Sequence, residues 1–386
     1  MVSKRIALII GTRPEAIKLG PVYQELARRA GQFEPLVIAT AQHRQMLDQM
    51  LPIFGMAPEV DLDLMKEGQT LAEVTCRALG GLQGALQEIR PDLALVQGDT
   101  TTVLAGALAA FYEKIPVGHV EAGLRTGDKY SPFPEEINRR LTTPLADLHF
   151  AATAGARDHL LREGVAPESI FVTGNPVIDA LRQVASHAPP LETTAAGSHL
   201  TPDQRLLLVT AHRRENLGQP LRNICRALRV IVEEFGDVHV LYAVHPNPQV
   251  RETAGQELAE AERVTLIKPP NYLEFVALMQ RAYLILTDSG GVQEEAPALG
   301  VPALVMRDTS ERPEGLACGS AELVGTSTER IVRAARRLLT EEAEYQRRRL
   351  APCPYGDGKA AQRIVDALGF HFGSQPQRPA DWEVTG

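Results

Sequence analysis

Cysteine is scarce in this chain. Its 386 residues hold four, Cys76, Cys225, Cys318 and Cys353, far apart and with no CxxC pair. That excludes a disulfide framework and leaves no zinc-site spacing. No apolar run approaches the ~20 residues of a membrane-spanning helix. Residues 6–10 follow Lys4-Arg5 and faintly mimic a signal peptide, but Gly11-Thr12-Arg13-Pro14 interrupts them and no cleavage pattern follows. There is no excess of positive charge either. A net charge of −8 argues against non-specific nucleic-acid or membrane-surface binding, so an anionic ligand would need local basic groups. The glycines of a Walker loop or of GxGxxG are also missing. These absences leave a cytoplasmic protein, 44% hydrophobic and long enough for two domains.

What is present is an alternation of short apolar strands with amphipathic helices. Strands are expected at 6–10, 35–40, 93–96, 117–120, 148–151 and 170–173, with helices at 70–89 and 102–112 among the connections. This is the pattern of a doubly wound parallel sheet. Residues 187–203 are rich in Pro, Ala, Thr and Gly without apolar periodicity and read as a linker. A second alternating series follows, with strands at 206–209, 238–244, 264–267, 283–287 and 303–306. The expected organisation is α/β, two Rossmann-like doubly wound domains facing a cleft. The divisions are 1–174 for the first domain, 175–204 for the hinge, 205–358 for the second domain and 359–386 for a C-terminal helix and tail. The last ~15 residues show no core pattern and are expected to fray or form a tail.

Residues 96–140 concentrate acids at strand ends. Asp99 follows the strand at 93–96, Glu121 ends the strand at 117–120, and Glu135 lies in the first turn of a helix opened by Ser131-Pro132-Phe133-Pro134. One acid after a strand is most often a helix cap or a loop acid. Three within ~40 residues point to one cleft at the carboxyl ends of the strands, where like charges drive pKa values apart. A metal site is the rival reading, because His119 and Glu121 lie two apart on a strand and share a face. Nothing else in the stretch has clear metal-ligand spacing, and no metal is expected.

Three other stretches suit an anion. In GTRPEAIK, Thr12 and Glu15 have capping-box spacing, and Arg13 and Lys18 are cations beside a helix N-terminus; as surface residues they would mean nothing. In TDSGGVQEE, Ser289, Gly290 and Gly291 let a diphosphate approach bare N–H groups, and Glu295 suits ribose hydroxyls; the alternative is a tight strand–helix turn. RDTSERPEG, with Arg312, is a charged loop directly after a strand, or simply a solvated one.

Together GTRPEAIK, TAQHRQMLDQ, GDTTT, GHVEAGLRTGDKYSPFPEE, TAHRREN, LTDSGGVQEEAP, RDTSERPEG and PYGDG resemble the non-hydrolysing UDP-N-acetylglucosamine 2-epimerases of bacteria, in order from Arg13 to Gly358. The resemblance implies a glycosyltransferase-B-like fold whose C-terminal helix crosses back to the first domain. It implies a cytoplasmic homodimer supplying ManNAc units for cell-surface polysaccharide. It also implies interconversion of UDP-GlcNAc and UDP-ManNAc without cofactor, by anti elimination of UDP to 2-acetamidoglucal and re-addition. By resemblance Asp99, Glu121 and Glu135 are the catalytic acids, and His212, Arg13 and Lys18 face the diphosphate. Ser289, Gly290 and Gly291 would bind phosphate, Glu295 the ribose, Arg312 the charged or sugar end, and Tyr272 and Phe275 the uracil, although aromatics at that spacing are as often core. Some members of the family are activated by UDP-GlcNAc in a second pocket; here Gln42, His43, Gln45 and His245 match it, but Gly68 stands where that pocket has an arginine. Gln97, Pro176, Ala243 and Pro246 also depart from the family pattern, without removing a proposed catalytic group. The alternatives are a sugar-nucleotide glycosyltransferase and a non-catalytic UDP-sugar-binding regulator.

Overall fold

The computed structural model describes residues 3–40, 47–65 and 68–384. The chain divides into two compact units, Met1–Ala180 with Gly356–Glu383, and Leu181–Tyr355 with Val384–Gly386. Among the described residues no helix is long and apolar enough to cross a membrane.

The strands of the first unit are β1 (Lys4–Ile10), β2 (Phe33–Ala39), β3 (Pro58–Asp61), β4 (Leu93–Gln97), β5 (Val117–Ala122), β6 (Leu148–Ala151) and β7 (Ile170–Val172). They form one seven-stranded sheet in the order β3-β2-β1-β4-β5-β6-β7, and every pairing is parallel. β1 and β4 read as near-continuous apolar runs because helices cover both faces of a parallel sheet. Those helices include α1 (Arg13–Arg28), α2 (Leu71–Ile89), α3 (Thr101–Tyr112), α4 (Glu135–Thr142), α5 (Ala154–Arg162) and α6 (Pro176–Ala185), and the division between the units falls inside α6. One core joins Ile9, Ile38, Leu82, Leu86, Val96, Val103 and Val117.

The second unit repeats the plan. β8 (Arg205–Thr210), α7 (Gln219–Glu234), β9 (Val238–Ala243), α8 (Pro248–Leu258), β10 (Val264–Ile267), α9 (Tyr272–Arg281), β11 (Leu284–Thr287), α10 (Gly290–Ala298), β12 (Ala303–Val305), α11 (Pro313–Ala317), β13 (Ala321–Leu323), α12 (Thr328–Thr340) and α13 (Glu342–Arg349) follow in order. Six strands pair as β10-β9-β8-β11-β12-β13, again all parallel. Leu207, Ile224, Leu228, Val240, Leu286 and Leu338 meet in its core. The two Rossmann-like α/β sheets expected from the alternation are both present. β3, with its exposed acids, and the three-residue β13 carry too little apolar pattern to be legible.

The last helix, α14 (Ala360–His371), belongs to the first unit and packs on α1, with Arg29 Nη1 2.7 Å from Asp366. Its first turn is held by Asp179, whose carboxylate accepts the Ala360 and Ala361 N–H groups at 3.1 and 2.9 Å. Burial pushes the Asp179 carboxyl up to about 6, and those two N–H donors oppose it. The expected frayed tail is a correction. Trp382 is buried, its N–H reaches Val172 O at 2.7 Å, and Asp381 accepts from Val172 N at 2.9 Å. The segment covers the open edge of β7, which a bare edge strand requires. Its few anchors are too sparse to give a periodic signal. Asp179→Ala should leave two buried helix N–H groups unmet and destabilise the protein by about 1–2 kcal/mol. A thermal scan checks this, and an unchanged midpoint would contradict it.

Candidate active site

In the first unit the site begins where the sheet reverses direction. β1 and β4 are neighbours, but the chain leaves them towards opposite edges, which opens a crevice at their carboxyl ends. Gly11 closes β1 there because nothing larger fits. A Cβ at Gly11 would lie 2.3 Å from Thr102 Oγ1 and 2.5 Å from Thr40 Oγ1. The half-buried Arg13 follows at the first turn of α1, and Lys18 is buried one turn further on.

Asp99 sits on the loop after β4 with its side chain 28% exposed, so it is accessible to a ligand. Arg139 Nη2 approaches its Oδ2 to 2.5 Å, and Asn138 Nδ2 donates to its backbone carbonyl at 2.9 Å. Both partners come from α4. Glu135 lies in the first turn of α4, three and four residues before them and so on the same helix face. Glu135 is half-buried. Glu136 is buried and accepts from the N–H groups of Thr126 and Gly127 at 3.1 and 3.3 Å, fixing the loop that precedes the helix.

Glu121 is the most constrained of the three acids. It has φ +62° in a β-bulge, where the register jumps from Val120 to Ala122 against β6. A non-glycine residue there costs ~1–3 kcal/mol and persists only where its surroundings hold it. They do so here. Lys18 Nζ lies 2.6 Å from Oε1, Asn175 Nδ2 donates to the same oxygen at 2.9 Å, and Gln97 Nε2 donates to Oε2. Gly98 passes between the two strand-end acids, since a Cβ on it would lie 3.5 Å from Glu121 Oε2.

His119 is fully buried, with Nε2 2.7 Å from the Gly98 carbonyl. Burial pushes its pKa down to about 3 against the pull of that hydrogen bond, so the ring is neutral. The metal reading rested on strict alternation from His119 to Glu121, and the bulge interrupts that alternation at Glu121. Among the described residues no three His, Cys, Asp or Glu side chains group as metal ligands would.

In the second unit the equivalent reversal lies between β8 and β11. Asp288, fully buried after β11, organises the loop after β8. Its Oδ2 accepts from His212 N at 2.7 Å, Arg213 N at 2.8 Å and Asn216 Nδ2 at 2.9 Å. Asp288 Oδ1 lies 3.5 Å from His212 Nδ1, and the His212 ring stacks on exposed His245 at 5.1 Å. Ser289 stands at the N-cap position of α10, whose first residues are Gly290 and Gly291. A Cβ on Gly290 would lie 3.0 Å from the Arg312 guanidinium, so the cation packs directly over the helix start. Arg312 is fixed by Glu294 at 2.9 Å and Glu311 at 2.8 Å. Burial would raise the Glu311 carboxyl, but Arg312, Arg307 and Arg213 outweigh it and hold it down at about 2. Glu295 is buried and accepts the Tyr272 hydroxyl at 2.9 Å; Phe275, on α9 with Tyr272, is half-buried. Gln42, His43 and Gln45 lie outside the described residues.

Sequence reasoning missed the groups that hold the site residues: Asn175 on Glu121, Arg139 on Asp99, Asp288 on the loop of His212, and Glu311 on Arg312. Asn175, Arg139 and Asp288 act on partners far away in the sequence, and the Glu311–Arg312 contact is a matter of side-chain geometry that spacing does not reveal. Glu15 was legible as a cap but not as a buried acid. The Lys18–Glu121 pair is testable directly. Lys18→Met strands a buried carboxylate and should destabilise the protein by about 3–5 kcal/mol, whereas Lys18→Met with Glu121→Gln should recover part of that loss. Urea denaturation of the single and double variants decides it; strictly additive losses would contradict the coupling.

The comparisons with known proteins agree with one another. The family model described as UDP-N-acetylglucosamine 2-epimerase matches residues 24–369. The UDP-N-acetylglucosamine 2-epimerase of Bacillus subtilis is 52% identical over 379 residues, covering 97% of each chain. A putative UDP-N-acetylglucosamine 2-epimerase from Listeria monocytogenes superposes with a TM-score of 0.91 at 47% identity, covering 99% of this chain and 100% of that one. The Neisseria meningitidis enzyme, solved bound to UDP-GlcNAc, superposes with a TM-score of 0.89 at 43% identity, covering 94% and 99% of the two chains. With two parallel α/β sheets, acids at strand ends and near-complete coverage by these relatives, the chain belongs to the UDP-N-acetylglucosamine 2-epimerase family.

Proposed function

We propose that the chain interconverts UDP-GlcNAc and UDP-ManNAc by inversion at C2 of the sugar. The observation that carries this reading is the placing of acids at the ends of neighbouring strands and on the helix beside them. Asp99 and Glu121 close adjacent strands, and α4, whose side chains bind Asp99, also carries Glu135. The C2 proton is not next to a carbonyl and is barely acidic until the C1–O bond to UDP weakens. A carboxylate takes that proton as the C1–O electrons leave with UDP, and a C1=C2 double bond forms, giving 2-acetamidoglucal. In the return step a proton reaches the opposite face of C2 while a UDP oxygen re-forms the bond to C1. Both faces need a proton donor or acceptor, which is why one acid does not suffice.

Asp99, Glu121 and Glu135 are assigned to these transfers. Arg13, Lys18 and His212 are assigned to the diphosphate, whose charge grows as UDP departs. The start of α10 at Ser289, Gly290 and Gly291 suits phosphate through bare N–H groups. Glu295 is assigned to the ribose, Arg312 to the charged or sugar end, and Tyr272 and Phe275 to the uracil. The reading extends to a cytoplasmic homodimer that supplies ManNAc units for polysaccharide. The chain has only four cysteines and no CxxC pair, which fits a reducing compartment.

Incubation with UDP-GlcNAc in D₂O should yield UDP-ManNAc with deuterium at C2. Unlabelled, unepimerised substrate would contradict the reading and favour a glycosyltransferase or a regulator. Asp99→Asn, Glu121→Gln and Glu135→Gln should each lower turnover about 10²-fold or more while UDP binding survives better. Three near-normal rates would overturn the assignment. Activation by UDP-GlcNAc should be weak or absent. A missing arginine fork at Gly68 removes ~1.5–3 kcal/mol, or ~10- to 100-fold in effector affinity. Rates from UDP-ManNAc alone test this, and a strict requirement for a trace of UDP-GlcNAc would contradict it.

A further inference from the structure

Glu15 is a buried acid that the assignments above do not use. It is the third residue of α1 and is 1% exposed. Its Oε2 accepts the N–H groups of Gly11 at 2.5 Å and Thr12 at 2.9 Å. Its Oε1 accepts the Thr100 hydroxyl at 2.5 Å. Thr100 is the residue after Asp99 and caps α3, with its hydroxyl 3.3 Å from Val103 N. One carboxylate therefore ties the loop after β1, which leads into Arg13, to the loop after β4, which carries Asp99.

A helix cap does not require this arrangement. A capping box is completed by one backbone N–H and works at an exposed helix start, where glutamine serves as well as glutamate. Here burial pushes the Glu15 carboxyl up to about 7 despite three donors, and the like charge of Asp99 adds to the push. An acid held at that cost in place of an amide has a task that the amide does less well. In its ionised form the carboxylate has two acceptor-only oxygens, so both loops can donate to it at once. An amide offers one oxygen and one N–H₂. With its oxygen on Gly11 and Thr12, it would turn a donor toward Thr100.

We propose that Glu15 is a positioning residue that clamps the two loops of the β1/β4 crevice together and so fixes Asp99 relative to Arg13. The proposal rests on the epimerase reading for its kinetic consequence, but the clamp itself does not. A misplacement of about 1 Å at reacting groups costs on the order of 10²-fold in rate, so small loosening of this clamp is visible in turnover.

The test uses the full-length protein with Glu15→Gln and Glu15→Ala, and with Thr100→Val and Thr100→Ser. Glu15→Gln keeps a cap and should fold, with kcat lowered about tenfold or more while KM for UDP-GlcNAc and Kd for UDP change less than about threefold. Thr100→Val should reproduce the loss, and Thr100→Ser, which keeps the hydroxyl, should restore most of it. An unchanged kcat in folded Glu15→Gln overturns the proposal, as does a loss of kcat matched by an equal weakening of UDP binding. Amide hydrogen exchange provides a readout independent of any reaction. Gly11 and Thr12 should exchange faster in Glu15→Ala, and so should the amides that follow Asp99. Faster exchange confined to Gly11 and Thr12 would reduce Glu15 to an ordinary cap. If the unaltered protein turned over no UDP-GlcNAc, the epimerase reading would fall, and the exchange experiment would still decide the clamp.

Discussion

A carboxylate removed from water must find both a counter-charge and donors for its lone pairs, and the first unit is arranged around meeting that demand at Glu121. Lys18 supplies the charge from α1, Asn175 an N–H from the loop before α6, and Gln97 another from the end of β4. These partners lie 103, 54 and 24 residues away in sequence. The left-handed backbone at Glu121 is tolerated because these contacts determine the side chain's place. The same network puts a cation, two amides and an acid at the end of one sheet. These contacts hold the Glu121 carboxylate in one orientation, and preorganisation of that kind is what electrostatic catalysis requires.

The second unit meets the same constraint with a different emphasis. Asp288 is spent entirely on structure, its Oδ2 gathering the N–H groups that shape the loop bearing His212. Glu311 and Glu294 hold Arg312 over the first turn of α10. These two acid partners fix the plane of the Arg312 guanidinium. At Asp99, His212 and Arg312 a buried partner (Arg139, Asp288, and Glu294 with Glu311) fixes the direction of the more exposed side chain.

Much of this was legible in the sequence, and the limit has a physical cause. Period and punctuation revealed both parallel sheets, because strands such as β1 and β4 are apolar throughout and stop at small polar residues. Asp99, Glu121, Ser289 and Glu295 were singled out because strand ends in such sheets are where ligands bind. Arg139, Asn175 and Asp288 were not, since their importance lies in contacts that only the folded chain creates. The bulge at Glu121 was invisible for a related reason: β-alternation reads directly from sequence, whereas a single skipped residue does not. Trp382 and Asp381 escaped notice because two anchors have no period.

The central claim is that the bond from C1 to UDP breaks as the C2 proton is lost, with Asp99, Glu121 and Glu135 managing the proton. Positional isotope exchange tests it most directly. UDP-GlcNAc carrying ¹⁸O in the bridge between C1 and the β-phosphorus is incubated with the protein and recovered. If UDP departs and returns, the label should spread from the bridge into the non-bridging β-phosphate oxygens as UDP-ManNAc forms. Retention of all the label in the bridge while C2 still epimerises would mean that the C1–O bond never breaks, and would contradict the account.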